Sequence, residues 1–351
     1  MKIIHCIYSF TMGGSETMLA DIMNTQCVRG DDVTFIIVND HIEDSMLRSV
    51  DSRVRVIRLG RRPGSHSPLP FVRLNMLLRR MNPDIIHVHS VYLLPVLPGL
   101  GSKLVFTVHC LGQTDRWFGR CGALVAISDE VAAELAGKGW KATVIHNGID
   151  TAAIAARSRQ APQPGETVRV INVGRLQDET KGQHVLIEAV ALLRAQGRDV
   201  EATFIGEGSS EAELKRLTEE KGVARRVRFL GRQDRDYVYS HLRDYHLMCH
   251  PSLFEGFGLT VAEGMAAGLP VVVSDTGGPY EIIARGKYGR AFATGDAAGC
   301  ASAIAATIDS YPTAQELDAA RDHVRRLYSI DRMVDEYRHL YRRLHEGRLN
   351  S

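Results

Sequence analysis

Residues 254–278 read FEGFGLTVAEGMAAGLPVVVSDTGG, and the fold follows from how that stretch is punctuated. Gly256 and Gly258 space a loop. Leu259 to Ala267 has helix-forming composition and is halted by Gly268 and Pro270, and a short apolar strand, 270–274, follows at once. Loop, helix and strand make half of a parallel α/β unit. A helix that starts behind a glycine loop leaves its first backbone N–H groups bare, and such amides suit phosphate oxygens. Two carboxylates flank them, Glu255 in the loop and Glu263 eight residues on. Carboxylates repel a phosphate, so their natural partners are hydroxyl groups, on a ribose and on a sugar. Taken alone, the pair reads equally well as a solvated helix face.

Working outward, the same rhythm recurs. Lys2 to Tyr8 reads as a strand, then a loop ending in Gly13 and Gly14, then a helix from about Ser15 to Arg29 with Ser15 as its N-cap. Apolar runs at 33–38, 54–59, 84–89, 103–109, 123–128 and 142–146 predict further strands. Residues 155–167 are polar, contain two prolines and lack apolar periodicity, which marks a linker. Strands at 168–173, 200–205, 227–230 and 245–250 then alternate with helices, and a last helix from about Asp331 carries an apolar and aromatic stripe. Continuous apolar strands separated by helices indicate parallel sheets covered on both faces. The expected architecture is α/β, with two doubly wound Rossmann-like domains, 1–155 and 166–330, facing across a cleft. Such sheets bind ligands beyond the carboxyl ends of their strands.

Composition bounds the rest. With 351 residues, 44% hydrophobic, and a net charge of +2, the chain is long enough for two cores and has no strong electrostatic bias toward nucleic acid. No apolar run approaches the roughly 20 residues of a membrane span, and Met1-Lys2 leads straight into a strand, so a cytoplasmic protein is expected. The six scattered cysteines fit reduced thiols. Residues 48–80 contain nine arginines against one acid, Asp51. Within them 71–80 forms a basic amphipathic helix, suited either to an anionic bilayer surface or to a core-packed face with a solvated arginine edge.

Candidate chemistry lies at strand ends. Arg175 follows the first strand of the second domain and Lys181 opens the next helix, and two cations there suit a diphosphate. His109 closes a strand of the first domain, either as a ligand to a substrate hydroxyl or as a satisfied core histidine. His87 and His89 share one strand face, but no third metal ligand is evident nearby. Asp234-Arg235-Asp236 sits where a helix begins, and capping accounts for it. Gly206-Glu207-Gly208 alone is too little for a dinucleotide site.

Taken in order, Gly13-Gly14-Ser15-Glu16, the strand end at His109, His146 to Asp150, Val173 to Leu176, Lys181-Gly182, Phe204 to Gly208 and Glu255 through Glu263 to Gly278 resemble glycosyltransferase family 4, of the GT-B fold. The resemblance spans nearly the whole chain. It implies a retaining, metal-independent transfer from a nucleotide-diphosphate sugar to an acceptor hydroxyl, without a cofactor; a glycan or lipid-linked acceptor at the inner face of a membrane is the leading expectation, to which the basic helix at 71–80 would add peripheral contact. It also implies roles. Arg175 and Lys181 would hold the diphosphate, Glu263 the ribose, and Glu255 with Gly256, Phe257, Gly258, Leu259 and Thr260 the donor. His109 would contact the sugar near the reacting carbon, Gly13 and Gly14 would approach the phosphates and acceptor, and the final helix, about 331–351, would pack on the first domain. The first domain departs from the pattern in being short between His109 and Ser128, which leaves acceptor identity open. A catalytically silent partner subunit and a nucleotide-sugar epimerase are the alternatives on the same fold.

Overall fold

The computed structural model describes residues 1–156 and 161–347, in two units: Met1–Gly148 with Ile330–Ser351, and Ile149–Ser329. In the first unit, β1 (Lys2–Ile7), β2 (Asp32–Asn39), β3 (Arg55–Arg61), β4 (Ile85–Val88), β5 (Leu104–Val108), β6 (Ala123–Ala126) and β7 (Thr143–Val144) form one parallel sheet. Its order is β3-β2-β1-β4-β5-β6-β7. Helices α1 (Gly14–Val28), α2 (Asp44–Arg48), α3 (Leu69–Met81) and α4 (Asp129–Gly137) lie among its connections.

The second unit repeats the scheme. Strands β8 (Val168–Val173), β9 (Val200–Ile205), β10 (Val227–Phe229), β11 (Leu247–His250), β12 (Val271–Ser274) and β13 (Arg290–Phe292) pair in parallel in the order β10-β9-β8-β11-β12-β13. Its helices are α5 (Asp178–Lys181), α6 (Gln183–Ala195), α7 (Glu211–Glu220), α8 (Arg235–His241), α9 (Leu259–Ala266), α10 (Gly277–Ile282), α11 (Ala297–Asp309) and α12 (Ala314–Leu327). Both sheets have the doubly wound order, in which the winding reverses beside the first strand. The reversal falls between β1 and β4 in one sheet and between β8 and β11 in the other, the position at which open α/β sheets bind ligands.

The central strands β1, β4 and β5 are mostly apolar because both of their faces are covered. Ile3, Ile4, Cys6, Ile85, Ile86, Val105 and Phe106 are all fully buried. The last helix, α13 (Ile330–His345), belongs to the first unit. Its Met333, Val334, Tyr337, Leu340 and Tyr341, spaced for one helical face, pack on Ile3, Ile85, Val105 and Val125. The second unit has its own core, built from Val170, Val185, Ile187, Phe204, Leu247 and Ile304 among others.

Three expectations need correcting. The N-cap of α1 is Gly13, with no side-chain bond, and the Ser15 hydroxyl turns to Glu16 at 2.7 Å instead. The division between units falls at Gly148/Ile149, ahead of the polar stretch read as a linker. Ile154 is buried and the Ala155 N–H donates to the Tyr239 carbonyl, so that stretch starts inside the second unit. Residues 157–160 of it lie outside the described residues. Helix α10 and strand β13, six and three residues long, were not anticipated, since neither is long enough to show a period.

Candidate functional site

The second unit assembles its site from two loops. After β8, the Arg175 loop runs flush against the exit of β9: the Gly174 N–H donates to the Ile205 carbonyl and the Leu176 N–H to the Glu207 carbonyl. A Cβ at Gly206, where φ is +145°, would stand 1.9 Å from the Gly174 oxygen, and one at Gly208 would stand 2.1 Å from the Leu176 oxygen. These glycines therefore serve close backbone approach, which holds Arg175 at the carboxyl end of the sheet. The Arg175 side chain is exposed, and Gln183 donates to its carbonyl at 2.8 Å.

Lys181 ends α5, and Gly182 turns the chain into α6 at φ +59°. A Cβ on Gly182 would sit 2.3 Å from the Pro251 oxygen, so this turn touches the loop after β11. The Leu253 and Phe254 N–H groups both donate to the Thr180 carbonyl, at 2.9 and 3.0 Å, and stitch the loops together. The result is an ion pair between the Lys181 ammonium and the Glu255 carboxylate. His250, buried at the end of β11, lies 3.5 Å from the same carboxylate oxygen, 2.9 Å from Ser252 Oγ and 3.3 Å from Thr260 Oγ1. Burial pushes the Glu255 carboxyl upward, but the His250 hydrogen bond and the Lys181 charge outweigh it and hold the group at about 2.

Gly258, at φ +95°, is the N-cap of α9, and α9 carries both Thr260 and Glu263. Phe257 is 3% exposed and its ring packs edge-on against Tyr328, so it anchors the loop by its side chain and offers only its backbone to a ligand. Gly278 makes that possible: a Cβ there would lie 2.2 Å from Phe257 Cα. Glu263 accepts from the Tyr239 hydroxyl at 3.3 Å. Lys181, Glu255, His250 and Thr260 thus form one bonded cluster at the reversal point, with Glu263 one turn along the same helix. His250 and Tyr239 escaped the sequence reading. The signal for His250 was there, a histidine closing a parallel strand, as His109 does.

In the first unit, Gly13 is extended (φ −170°) and Gly14 opens α1, directly after β1. The loop ahead of them is fixed by Phe10 N–H to the His41 carbonyl and Met12 N–H to Glu43. His109 is half-buried just beyond β5, with Nε2 3.3 Å from His89 Nδ1, and burial lowers its pKa to about 4. The absence of a third imidazole beside His87 and His89 is corrected here: His5, from β1, joins them, and the three lie within ligand distance of one another. All six ring nitrogens already have protein partners. His5 bonds Gln26 and His89, His87 bonds Thr107 and Tyr341, and His89 also reaches His109.

Two parallel sheets of Rossmann order, one with a cation, a carboxylate and a helix N-terminus at its reversal point, place the chain in the class of doubly wound α/β proteins. A model described as "Glycosyl transferases group 1" matches residues 153–323, and one described as "Glycosyltransferase Family 4" matches residues 12–153. The chain belongs to the family 4 glycosyltransferases. It is 31% identical to the glycogen synthase of Mycobacterium tuberculosis over 266 residues, 68% of this chain, and spans 63% of that relative's length. It is 27% identical to the lipopolysaccharide core biosynthesis glycosyltransferase LpsD of Rhizobium meliloti over 98% of both chains. Among solved structures, HepE of Anabaena in complex with UDP and glucose matches with a TM-score of 0.80 over 97% of this chain and 99% of that one, at 20% identity; the likeness is of the GT-B fold.

Proposed function

We propose that the chain is a retaining, metal-independent glycosyltransferase, moving a sugar from a UDP- or GDP-sugar to a hydroxyl of a glycan or lipid-linked acceptor in surface polysaccharide or lipopolysaccharide synthesis. The observation that carries this reading is the Lys181–Glu255–His250 cluster at the reversal point of the second sheet, beside the N-terminus of α9. On this reading the ion pair is a placeholder. When donor binds, the Lys181 ammonium turns to the diphosphate and the Glu255 carboxylate to sugar hydroxyls, so neither charge is left buried alone. Arg175 adds a second cation, Glu263 accepts from ribose hydroxyls, and the N–H groups from Gly256 to Thr260 donate to phosphate oxygens. The bond from the anomeric carbon to the phosphate oxygen breaks, a bond to the acceptor oxygen forms, and the acceptor proton leaves with the nucleoside diphosphate. Charge grows on the departing phosphate, where fixed cations and a helix N-terminus lower the barrier. In the first unit, His109 and the Gly13-Gly14 loop are assigned to the donor sugar and the acceptor. The relatives named for lipopolysaccharide and glycogen synthesis support a glycan product.

The test is turnover by the purified chain on a panel of nucleotide sugars with glycan and lipid-linked acceptors. Nucleotide release matched by product formation is expected; binding of UDP or GDP without turnover on any acceptor favours a silent partner subunit. Dialysis against EDTA is expected to leave the rate unchanged, and a loss restored by Mg or Mn contradicts the metal-free reading.

Peripheral contact with an anionic bilayer belongs to the same proposal. Helix α3 buries Leu74 and Leu78 but turns Leu69, Val72 and Met76 outward at 68, 50 and 58% exposure, next to exposed Arg73, Arg79 and Arg80. Among the described residues no helix is long and apolar enough to cross a membrane. Flotation with liposomes containing phosphatidylglycerol is expected to carry the chain upward, and the combined Leu69→Ser, Val72→Ser and Met76→Ser variant is expected to be released. Equal partitioning onto phosphatidylcholine alone would remove the electrostatic part.

A further inference from the structure

The first unit holds a chain of imidazoles that the proposed reaction leaves unexplained. His5, His87 and His89, with Thr107 and His109, project from one face of adjacent strands β1, β4 and β5, at alternate positions; His5 lies opposite His87 in register. Gln26 of α1 and Tyr337 and Tyr341 of α13 cover them. One line of contacts runs Gln26 Oε1 to His5 Nε2 at 2.8 Å, His5 Nδ1 to His89 Nε2 at 3.0 Å, and His89 Nδ1 to His109 Nε2 at 3.3 Å.

A neutral imidazole has one donor and one acceptor nitrogen, so the line has a direction. The Gln26 carbonyl only accepts, and His5 must therefore carry its proton on Nε2 and accept at Nδ1. His89 then donates from Nε2 and accepts at Nδ1, and His109 donates from Nε2. That leaves His109 Nδ1 with a lone pair, and this atom is buried without a hydrogen-bond partner among the described residues. Burial keeps the rings neutral: it lowers His5 and His109 to about 4 and His89 well below its ordinary value. Protonation of His5 or His89 at Nδ1 would place two N–H groups against each other and break the line.

We propose that Gln26, His5 and His89 are positioning residues that set His109 as its Nε2–H tautomer and present Nδ1 as an acceptor to a ligand hydroxyl. Assigning that hydroxyl to the donor sugar rests on the function proposed above; the tautomer itself does not. The other line, Tyr341 to His87 at 2.6 Å, His87 to Thr107 at 2.7 Å, and Thr107 to Tyr337 at 3.0 Å, braces the same strands from α13.

The test is histidine-labelled full-length chain, read by two-bond nitrogen–proton correlation at neutral pH, which distinguishes the two tautomers. Nε2–H signals for His5, His89 and His109 are expected. His89→Phe and Gln26→Met are expected to convert His109 to a mixture, and to lower kcat/KM for donor about tenfold while UDP or GDP binding is unchanged. Gln26→Met, at the far end of the line, serves where His89→Phe fails to fold. An Nδ1–H signal at His109 in the unaltered chain overturns the proposal, as does an unshifted tautomer in both variants. Tight stoichiometric zinc on the purified chain, with histidine signals that change on its removal, also overturns it, since the cluster would then be a metal site. A chain that shows the relay but no turnover would leave the tautomer assignment standing and count against the transferase reading instead.

Discussion

Replacing Lys181 by alanine is expected to lower kcat by about 10²- to 10³-fold, the loss typical of one fixed group that stabilises transition-state charge. Two effects act together. The ammonium no longer meets the leaving phosphate, and Glu255 loses one of the groups that hold its carboxyl at about 2. The Glu255 pKa should therefore rise, and the acid limb of the rate profile should move to higher pH. Lys181→Arg keeps a charge but not the compact ammonium, and should fall between. Arg175→Ala is expected to cost a similar factor without the pH displacement, because Arg175 lies outside the Glu255 cluster. The double variant should lose less than the product of the two, since both cations act on one developing charge. Circular dichroism and melting should stay near those of the parent chain, the Lys181 side chain being surrounded by loop rather than core. A folded double variant with a near-parental rate would remove both residues from the mechanism.

Lowering the pH from 7 to 5 is expected to destabilise the first unit before the second. His5 titrates near 6.5 when unfolded and at about 4 when folded, because burial disfavours its charge. Between those values the unfolded chain binds more protons, so stability falls as pH falls; the contribution is whole above about 6.5 and gone below about 4. For His5 alone this amounts to about 2 kcal/mol at pH 5. His87 and His89 are lowered further and act in the same direction. In the second unit the signs are mixed: Asp178 raises His184, whose contribution is retained as pH falls, while burial lowers His323. Glu255, held at about 2, costs nothing until pH drops below the ordinary carboxylate range. Both tryptophans, Trp117 and Trp140, are in the first unit, so tryptophan fluorescence reads that unit selectively. Its denaturation midpoint should drop clearly at pH 5, and an unchanged or higher midpoint would show that the histidines are not held neutral by burial.

Much of this was legible in the sequence. The strand at 168–173 and the helix at 314–327 appear where they were read, because long segments buried on one or both faces leave a periodic trace. Residues 254–278 include the expected loop, helix and strand, and Glu255 is ion-paired with Lys181. The neighbours of that pair were less visible. His250 and Tyr239 come from separate elements, and only the packing of α8, α9 and β11 shows that their polar atoms meet the paired acids. Likewise Gly206 and Gly208 look like a weak phosphate motif in the sequence, while in the fold they are sites where a Cβ would strike the Arg175 loop.

By itself the sequence determined the class of fold, the doubling of the α/β unit, and the strand-end loops where charged residues gather, since each depends on local period and on glycine punctuation. The family resemblance implied that the last helix packs on the first domain, but tertiary structure alone decided that His5 joins His87, His89 and His109, and that every one of their ring nitrogens but His109 Nδ1 finds a protein partner among the described residues. Those contacts link residues as far apart as His87 and Tyr341, and no spacing rule reaches that distance. Hydrogen-bond partners across a parallel sheet are set by register and by what covers the face, both of which exist only once the chain has folded.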